Sequence, residues 1–239
     1  MSVNTITLDR VSAGYGLGRV VSDVSFTIAA GEAATILGRN GVGKTTLLRT
    51  LVGLHPAAGG RVLFDEEDVT RHRAFDRARR GIGYVPQGRG IFQHLTVAQN
   101  LELGLTACAG RPGPRRRGIP DHIFDVFPVL DRLRHRKAGL LSGGEAQQLS
   151  IGRALVTEPT ILILDEPTEG IQPSVVQQIQ AALVDIRREW HVAVLLVEQY
   201  LDFAWSVADR FYVLRGGRIA GQGRTSEQRP ETVAHLLNV

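Results

Sequence analysis

The stretch GRNGVGKTT, at Gly38–Thr46, constrains this chain more than any other feature. It fits the phosphate-binding pattern G-x-x-x-x-G-K-[ST], and it lies between the apolar run AATILG and a segment with helical spacing. Glycines let several backbone N–H groups converge on phosphate oxygens, and the positive N-terminus of the next helix adds to that attraction. The alternative is a glycine-rich turn without a ligand. A strand before the loop and a helix after it favour the nucleotide site.

Side chains of the same loop predict how the phosphates are held. Lys44 places a positive charge on the outer phosphates, and the Thr45 hydroxyl can bind Mg²⁺. The whole loop is therefore expected to bind the phosphates of a nucleotide through these residues: Gly38, Arg39, Asn40, Gly41, Val42, Gly43, Lys44, Thr45 and Thr46.

The run ILILDEP, at Ile161–Pro167, supplies the acids that such a loop needs. A buried strand here places Asp165 at its carboxyl end, the edge at which open α/β sheets bind ligands. Asp165 would hold Mg²⁺ through its water shell, and Glu166 is placed to polarise the attacking water. Two acids at the end of a strand are a weak signal alone. After a phosphate loop, they predict a protein that binds ATP or GTP.

The segment LSGGEAQQ, at Leu141–Gln148, predicts a second phosphate contact. Two glycines after Ser142 at the start of a helix leave N–H groups open to an anion. One loop already holds one nucleotide, so this segment is expected to contact the nucleotide of another molecule in a head-to-tail dimer. An ordinary serine cap of a helix is the alternative.

The order of the apolar segments predicts an α/β fold. Strands alternate with helices, which indicates a mostly parallel sheet covered on both faces. Between about residues 88 and 158 the pattern is helical, with helices expected at Thr96–Ala107, Asp121–Leu130 and Ser142–Val156. A length of 239 residues, with 43% hydrophobic residues, suits one domain that carries this block as an inserted lobe.

Together these motifs resemble the nucleotide-binding subunits of ABC transporters over the whole chain. The resemblance implies an α/β P-loop NTPase (RecA-like) core with an antiparallel β subdomain over residues 1–87 and 159–239, and an α-helical signature subdomain over 88–158. It implies that Tyr15, in SAGYG, stacks on adenine, and that Gln87, in YVPQGRG, connects the γ-phosphate and Mg²⁺ to the helical lobe. The Mg²⁺ ligands that it implies are Thr45, Gln87 and Asp165. The residues that it implies for contact with the ATP of a partner subunit are Ser142, Gly143, Gly144 and Glu145.

Departures from the common family pattern point to one branch. Glu145 stands where most members have glutamine, TEGIQP follows Glu166, and Gln199 occupies the position that usually holds histidine. Gly90 stands where related sequences often have an acidic residue. The segments GYVPQGR, IGRAL, DEPTEGIQPS and LLVEQYLDFA resemble the branched-chain amino acid importer branch, and within it the urea-type ATPases most. We expect Gln199 to give the γ-phosphate an uncharged hydrogen bond, and Glu166 to dominate catalysis.

The implied function is ATP hydrolysis that powers uptake of a small polar solute, namely urea, a short amide or a branched-chain amino acid. The implied partners are a second ATPase, two membrane permeases and a periplasmic solute-binding protein. The second ATPase is expected to be a different chain in the cell, although the isolated protein can pair with itself. The start, MSVNTITLDR, lacks the pattern of a signal peptide, and the expected location is the cytoplasmic face of the inner membrane, as a peripheral subunit.

The alternative class is a soluble ABC ATPase that acts on nucleic acid or ribosomes. The net charge of +4 and the basic cluster RPGPRRRG, with Arg115–Arg117 at its centre, support it. The cluster has no interleaved aromatic residues that could stack on bases. Such proteins usually carry two cassettes or a long coiled-coil insertion, and this sequence shows neither. A P-loop kinase would leave LSGGEAQQ without a role. We therefore expect no nucleic-acid partner.

Overall fold

The computed structural model describes residues 5–108 and 118–238, which form two sheets flanked by helices. The strands of this part are β1 (Thr5–Tyr15), β2 (Gly18–Ala29), β3 (Ala33–Leu37), β4 (Gly59–Phe64), β5 (Glu67–Asp68), β6 (Ile82–Val85), β7 (Ile161–Asp165), β8 (Ala193–Glu198), β9 (Arg210–Arg215) and β10 (Arg218–Arg224). Its helices are α1 (Lys44–Leu51), α2 (Ala74–Arg79), α3 (Val97–Leu105), α4 (His122–Val126), α5 (Pro128–Arg132), α6 (Gly143–Leu155), α7 (Pro173–Trp190), α8 (Leu201–Val207) and α9 (Pro230–Asn238).

The larger sheet has the strand order β10-β9-β3-β8-β7-β6. Its strands are parallel except β10, which pairs with β9 as an antiparallel hairpin at the edge. Strand β7 is buried throughout because it feeds two cores, with Leu162 and Leu164 in one and Ile161 and Ile163 in the other. Since parallel strands share one carboxyl edge, the segments that follow β3, β7 and β8 meet there.

The smaller sheet is antiparallel, in the order β2-β1-β4-β5. Helix α1 packs between the two sheets, with Leu47 and Leu48 in the core that both sheets share. The sheets are also joined directly, because the N–H of Ser22 in β2 donates to the Gly217 carbonyl at 2.7 Å in the β9–β10 turn. Gly217 has a φ of +76°, and a Cβ there would overlap the Val20 carbonyl. The turn at Gly216–Gly217 therefore requires glycine as its second residue.

The helical block packs against the other face of the larger sheet. Residues of α3, α4, α5 and α6, such as Leu101, Ile123, Leu130 and Leu149, share a core with Leu162 of β7. The α/β fold class expected from the sequence is confirmed, with an antiparallel β part and a helical part on a P-loop core. No helix in residues 5–108 and 118–238 is both long and apolar enough to span a bilayer.

Two predicted helix boundaries are wrong. The helix expected over Asp121–Leu130 is split into α4 and α5, because Pro128 restricts the preceding Phe127 to a non-helical φ of −130° and ψ of 77°. The helical spacing predicts a first helix over Lys44–Leu54, but α1 ends at Leu51, since Gly53 adopts a left-handed φ of +81°. The arginines of the basic cluster, Arg115–Arg117, lie outside the described residues.

Candidate active site

The phosphate loop leaves the first turn of α1 without a side-chain cap. Gly41 and Gly43 have φ values of +82° and +106°, a region that residues with a side chain rarely adopt. A Cβ on Gly43 would lie 3.1 Å from the Val20 carbonyl oxygen of β2. The first N–H groups of an α-helix have no acceptor within the helix, and among the described residues no side chain caps those of α1. The loop therefore offers these groups to an anion.

Lys44 is buried at the base of this loop, with 4% of its surface exposed. Its Nζ donates to the carbonyl oxygens of Gly38 at 2.8 Å and Arg39 at 3.1 Å. The same ammonium group lies 3.2 Å from Glu166 Oε1. A buried ion pair must be well satisfied to be tolerated, and these contacts hold the positive charge in one place.

Glu166 is the centre of a polar network that joins four segments. It follows β7 with a left-handed φ of +48°. Its Oε1 accepts a hydrogen bond from Gln199 Nε2 at 2.8 Å, and its Oε2 accepts one from Gln87 Nε2 at 3.1 Å. Gln199 Nε2 also donates to Asn40 Oδ1 at 2.8 Å. Residues that are far apart in sequence thus surround Lys44 and Glu166.

A cleft of about 330 Å³ opens at this network. Its lining residues are Val20, Asn40, Gly41, Gly43, Lys44, Thr45, Thr46, Gln87 and Glu166. Of the predicted loop residues, Gly38 and Arg39 support it through their carbonyls, and Val42 lies beside Gly38 rather than in the lining.

Tyr15 is at the end of β1, with 53% of its surface exposed. Its ring centroid is 4.5 Å from that of His55, which follows α1. The His55 Nε2 lies 2.9 Å from the Gly14 carbonyl oxygen. The predicted adenine-stacking ring of Tyr15 therefore packs against His55 and lies outside the lining of the phosphate cleft.

Asp165 is buried at the end of β7, and its Oδ1 has no hydrogen-bond partner in the part of the chain that the structure describes. The pKa of Asp165 is raised to about 6, first by burial and then by the adjacent Glu166 charge, against the lowering effects of Thr45, Lys44 and Tyr84. Tyr84 OH donates to Oδ2 at 3.5 Å. An orphaned buried carboxylate oxygen beside a threonine hydroxyl fits a hard cation such as Mg²⁺.

The rest of a Mg²⁺ coordination sphere must come from elsewhere. The described residues contain no group of three or more His, Cys, Asp or Glu that could hold a metal alone. Phosphate oxygens and water would supply the remaining ligands, as Mg²⁺ prefers in nucleotide sites. Gln87, the third predicted ligand, makes its two hydrogen bonds through Nε2, to Glu166 and to Glu169 Oε2 at 3.0 Å. Its amide oxygen, the atom that a cation needs, takes part in neither bond.

The signature segment forms the N-terminus of α6, apart from the phosphate cleft. Ser142 is the N-cap, and its Oγ accepts the Glu145 N–H at 3.3 Å, while Glu145 Oε2 accepts the Ser142 N–H at 2.8 Å. This reciprocal capping box satisfies two backbone donors within the chain. A Cβ on Gly144 would lie 2.8 Å from Val175 Cγ1, so this glycine allows α6 to approach α7. Ser142 is therefore an ordinary helix cap, as the alternative interpretation expected, and this cap does not conflict with a signature role for the same residues.

Sequence reasoning missed Glu198, a buried acid that holds two parts of the site. Its Oε1 accepts the N–H and the hydroxyl of Thr168, at 3.1 Å and 2.7 Å. Its Oε2 accepts the N–H of Gln199 at 3.0 Å. Burial raises the pKa of Glu198, and these hydrogen bonds oppose that shift. An acid that ends the apolar run VAVLLVE, one residue before Gln199, was the signal available.

Val20 and Tyr84 were also missed. Val20 lines the cleft and stands against Gly43, but a valine in an alternating strand carries no sequence signal for a ligand. Tyr84 reaches Asp165 because β6 and β7 are neighbours, a pairing that only the sheet order reveals.

Comparison with known proteins gives this arrangement a family. The family model described as ABC transporter matches residues 21–169. The high-affinity branched-chain amino acid transport ATP-binding protein BraG of Pseudomonas aeruginosa is 40% identical over 214 residues, which cover 90% of this chain and 90% of BraG. The lipopolysaccharide export system ATP-binding protein LptB of Haemophilus influenzae is 34% identical over 226 residues, covering 95% of this chain and 92% of LptB.

A solved structure agrees with these relatives. The crystal structure of a nucleotide-free ATP-binding cassette from an ABC transporter superposes with a TM-score of 0.82 at 27% identity, covering 97% of this chain and 95% of that chain. The matches extend over nearly the whole sequence, beyond the phosphate loop that many nucleotide-binding proteins share. The chain therefore belongs to the ABC transporter family, as an ATP-binding and ATP-hydrolysing subunit.

Proposed function

We propose that this ATPase powers an importer for a small polar solute: urea, a short amide or a branched-chain amino acid. The observation that carries the proposal is the 40% identity to BraG across nine-tenths of both chains. LptB, whose name assigns it to an export system, is less similar at 34% identity. The polar network around Glu166 supports ATP hydrolysis as the reaction that drives transport.

In this proposal Glu166 takes the proton of the attacking water, and Lys44 and the loop N–H groups bind the phosphates. When phosphates enter the cleft, Lys44 exchanges its contact with Glu166 for them, which leaves the Glu166 carboxylate free to orient water. Gln199 donates an uncharged hydrogen bond beside the γ-phosphate, and Tyr15 stacks on adenine. Thr45, Asp165 and the Gln87 amide oxygen would hold Mg²⁺, whose charge stabilises the transferring phosphoryl group when it is bound.

We propose further that the site is completed by a second subunit. None of Ser142, Gly143, Gly144 and Glu145 lines the cleft of the same chain, although the signature glycines suit a phosphate contact. A head-to-tail dimer would bring this segment of one subunit over the γ-phosphate held by the other. The second subunit is a different ATPase in the cell and a copy of this chain when the protein is isolated.

A second surface supports a membrane partner. An apolar groove of about 550 Å³ lies between α2, β6, α3 and α6. Four of its lining residues are large hydrophobic side chains that are exposed to solvent: Leu54, Phe75, Phe92 and Leu103. An exposed apolar groove of this kind suits an amphipathic helix. We propose that it receives a cytoplasmic helix of one of two permeases, which places the ATPase on the cytoplasmic face of the inner membrane beneath a permease fed by a periplasmic solute-binding protein.

A pull-down tests the proposal. The Glu166→Gln chain, tagged and supplied with ATP, would be isolated from native membranes, and its partners identified by mass spectrometry. We expect two multi-span permeases and a sister ATPase. Recovery of ribosomal or DNA-bound proteins without a membrane protein would overturn the transporter and favour a soluble ABC ATPase. The genes that neighbour the recovered permeases would then name the solutes to test.

A paired measurement tests the catalytic assignment. Glu166→Gln keeps the size of the side chain but removes the base, so ATP turnover should fall by about 10²- to 10⁴-fold with ATP binding retained. Gln199→Ala should lower turnover less, because the base remains. Near-normal turnover in Glu166→Gln together with lost turnover in Gln199→Ala would reverse the two roles.

A further inference from the structure

The apolar groove contains one charge whose partner is absent from the described chain. Among the described residues that line it, Arg153 is the only Asp, Glu, Lys or Arg. Its guanidinium carbon lies 5.3 Å from the centroid of the Phe92 ring. Its Nη1 is buried and has no hydrogen-bond partner, and no described ion pair involves this residue. Burial lowers the pKa of Arg153.

Arg77 is a buried arginine whose hydrogen bonds are satisfied within the chain, and it provides a comparison for Arg153. Its guanidinium donates to the carbonyl oxygens of His72 at 3.1 Å, Thr50 at 2.8 Å and Thr70 at 2.8 Å, and to that of Leu51. The carbonyls of Thr50 and Leu51 belong to the last turn of α1. Arg153 is half-buried and has no comparable set of acceptors among the described residues, so its guanidinium packs on Phe92 with Nη1 unpaired.

Gly90 lies next to Arg153 but has no side chain that could neutralise its charge. A Cβ on Gly90 would lie 3.7 Å from Arg153 Nη2. A side chain at this position would therefore start within reach of the guanidinium. Glycine supplies none, and the charge faces the groove.

We propose that the helix which docks in this groove brings a carboxylate, and that this carboxylate pairs with Arg153. The inference rests on the proposed permease docking and names its recognition chemistry. A helix that covers Leu103 and Phe92 removes the remaining water from Arg153, and an unpaired charge in an apolar interface is strongly unfavourable. A carboxylate answers the planar guanidinium with two parallel hydrogen bonds, which a neutral side chain cannot match.

Cross-linking identifies the segment in the groove. A photo-crosslinking amino acid at position 103 would be activated in cells, and the cross-linked peptide sequenced by mass spectrometry. We expect a cytoplasmic segment of a multi-span membrane protein that contains Asp or Glu within two helical turns of the cross-link. A peptide from a protein without membrane spans would overturn the proposed function. A membrane segment without such an acid would overturn this inference and leave the proposed function standing.

Vesicle binding then tests the pair itself. Inverted vesicles that contain the cross-linked membrane protein, stripped of peripheral proteins, would be titrated with purified full-length chain. Changing the acid to its amide should weaken binding of the native chain by about 10- to 100-fold, the scale of a broken buried charge pair. The Arg153→Met chain should bind both kinds of vesicle equally. Equal binding of the native chain to the acid and amide vesicles would overturn the inference.

Gly90 provides a variant that leaves Arg153 in place. Gly90→Glu puts a carboxylate beside the guanidinium within the chain, and it should weaken vesicle binding at least about tenfold by occupying Arg153. Gly90→Gln is the matched control, because both side chains meet the same strain at a φ of +60° and only one is charged. Nucleotide affinity checks that both variants are folded. Equal vesicle binding by the two variants would contradict the role of Arg153.

Discussion

Helices α1 and α6 both have glycine at their N-termini, but they differ in whether a side chain caps their first N–H groups. Helix α1 follows Gly43 in a left-handed conformation and has no side-chain cap, and the nearby Asp165 has an unpartnered oxygen. Helix α6 follows Ser142, which forms a complete capping box with Glu145. Among the described residues no side chain caps the first N-terminus, whereas the capping box of the second satisfies the N–H groups of Ser142 and Glu145.

This difference indicates how each end contributes to nucleotide binding. Because phosphates and a cation would complete the hydrogen bonds and charges at the α1 end, we expect this end to bind a nucleotide as a single subunit. The α6 end is a stable helix start before any ligand arrives, so it gains less from a phosphate. We therefore expect α6 to contribute mainly to the closed dimer, where a second nucleotide is already held by its own loop.

The largest expected effect is the loss of the left-handed glycine before α1. Gly43→Ala places a Cβ 3.1 Å from the Val20 carbonyl at a φ of +106°, and strain of this kind should weaken ATP binding by about 100-fold. Fluorescent-nucleotide titration measures it. Gly31→Ala is the control: its φ is +72° with open space around the Cβ, so it should lose stability without losing ATP affinity. Equal ATP affinities of the two variants would remove the basis of the comparison.

The acid beside α1 should make Mg²⁺-dependent nucleotide binding sensitive to pH. The pKa of Asp165 is raised to about 6, so the carboxyl is protonated below that pH and must release its proton to bind a cation. Affinity for ATP with Mg²⁺ should fall by about tenfold for each pH unit below 6 and be flat above it. Titrations between pH 5 and about 8 measure the slope. Asp165→Asn should abolish the slope, and a slope that persists in that variant would assign it to another group.

Removing the two serine and threonine caps separates stability from function. Ser142→Ala breaks the capping box of α6, and Thr96→Ala breaks the equivalent box that Thr96 and Gln99 form at α3. Each should lower the free energy of unfolding in urea by about 1 kcal/mol. Only Ser142→Ala should also reduce ATP-dependent dimerisation. If both variants dimerise like the native chain, the α6 end contributes to folding alone.

The smallest effect is expected at Glu145. Glu145→Gln keeps an oxygen that can accept the Ser142 N–H but removes a negative charge near the phosphate of the second subunit. ATP-dependent dimerisation should tighten by about threefold, and the gain should shrink at high salt because exposed charges are screened. Light scattering of the Glu166→Gln background with ATP measures the dimer. Weaker dimerisation would show that the charge assists closure.

Local motifs made the centre of the site predictable. The G-x-x-x-x-G-K-[ST] loop and the acids of ILILDEP each carry their chemistry within a few residues, and their order in an α/β pattern placed them at one sheet edge. The structure brings Lys44 and Glu166 together, as those patterns suggested, and adds Gln87 and Gln199, which the family resemblance implied. Their roles in catalysis and the limits of the subdomains stay predictions.

Features that depend on contacts between residues distant in sequence could not be predicted. Tyr84 contacts Asp165 from a neighbouring strand. Val20 contacts Gly43 through its backbone carbonyl, and a backbone contact of this kind cannot be predicted from the residue type. The break at Phe127 could have been predicted, because the following Pro128 disfavours helical backbone before it. Arg153 lies in IGRAL, a segment that indicated only the family branch, and the surrounding groove reveals that its Nη1 has no partner among the described residues.

Glu198 has a consequence for how such a site can change over evolution. It holds position 199 through that residue's backbone N–H, and it holds the turn after Glu166 through Thr168. Neither contact depends on the side chain at 199. A lineage can therefore exchange histidine for glutamine there without moving the main chain, so the site can lose a titratable group while keeping its shape. Glu198 thus allows the side chain at position 199 to vary, because it binds the backbone there and not the side chain.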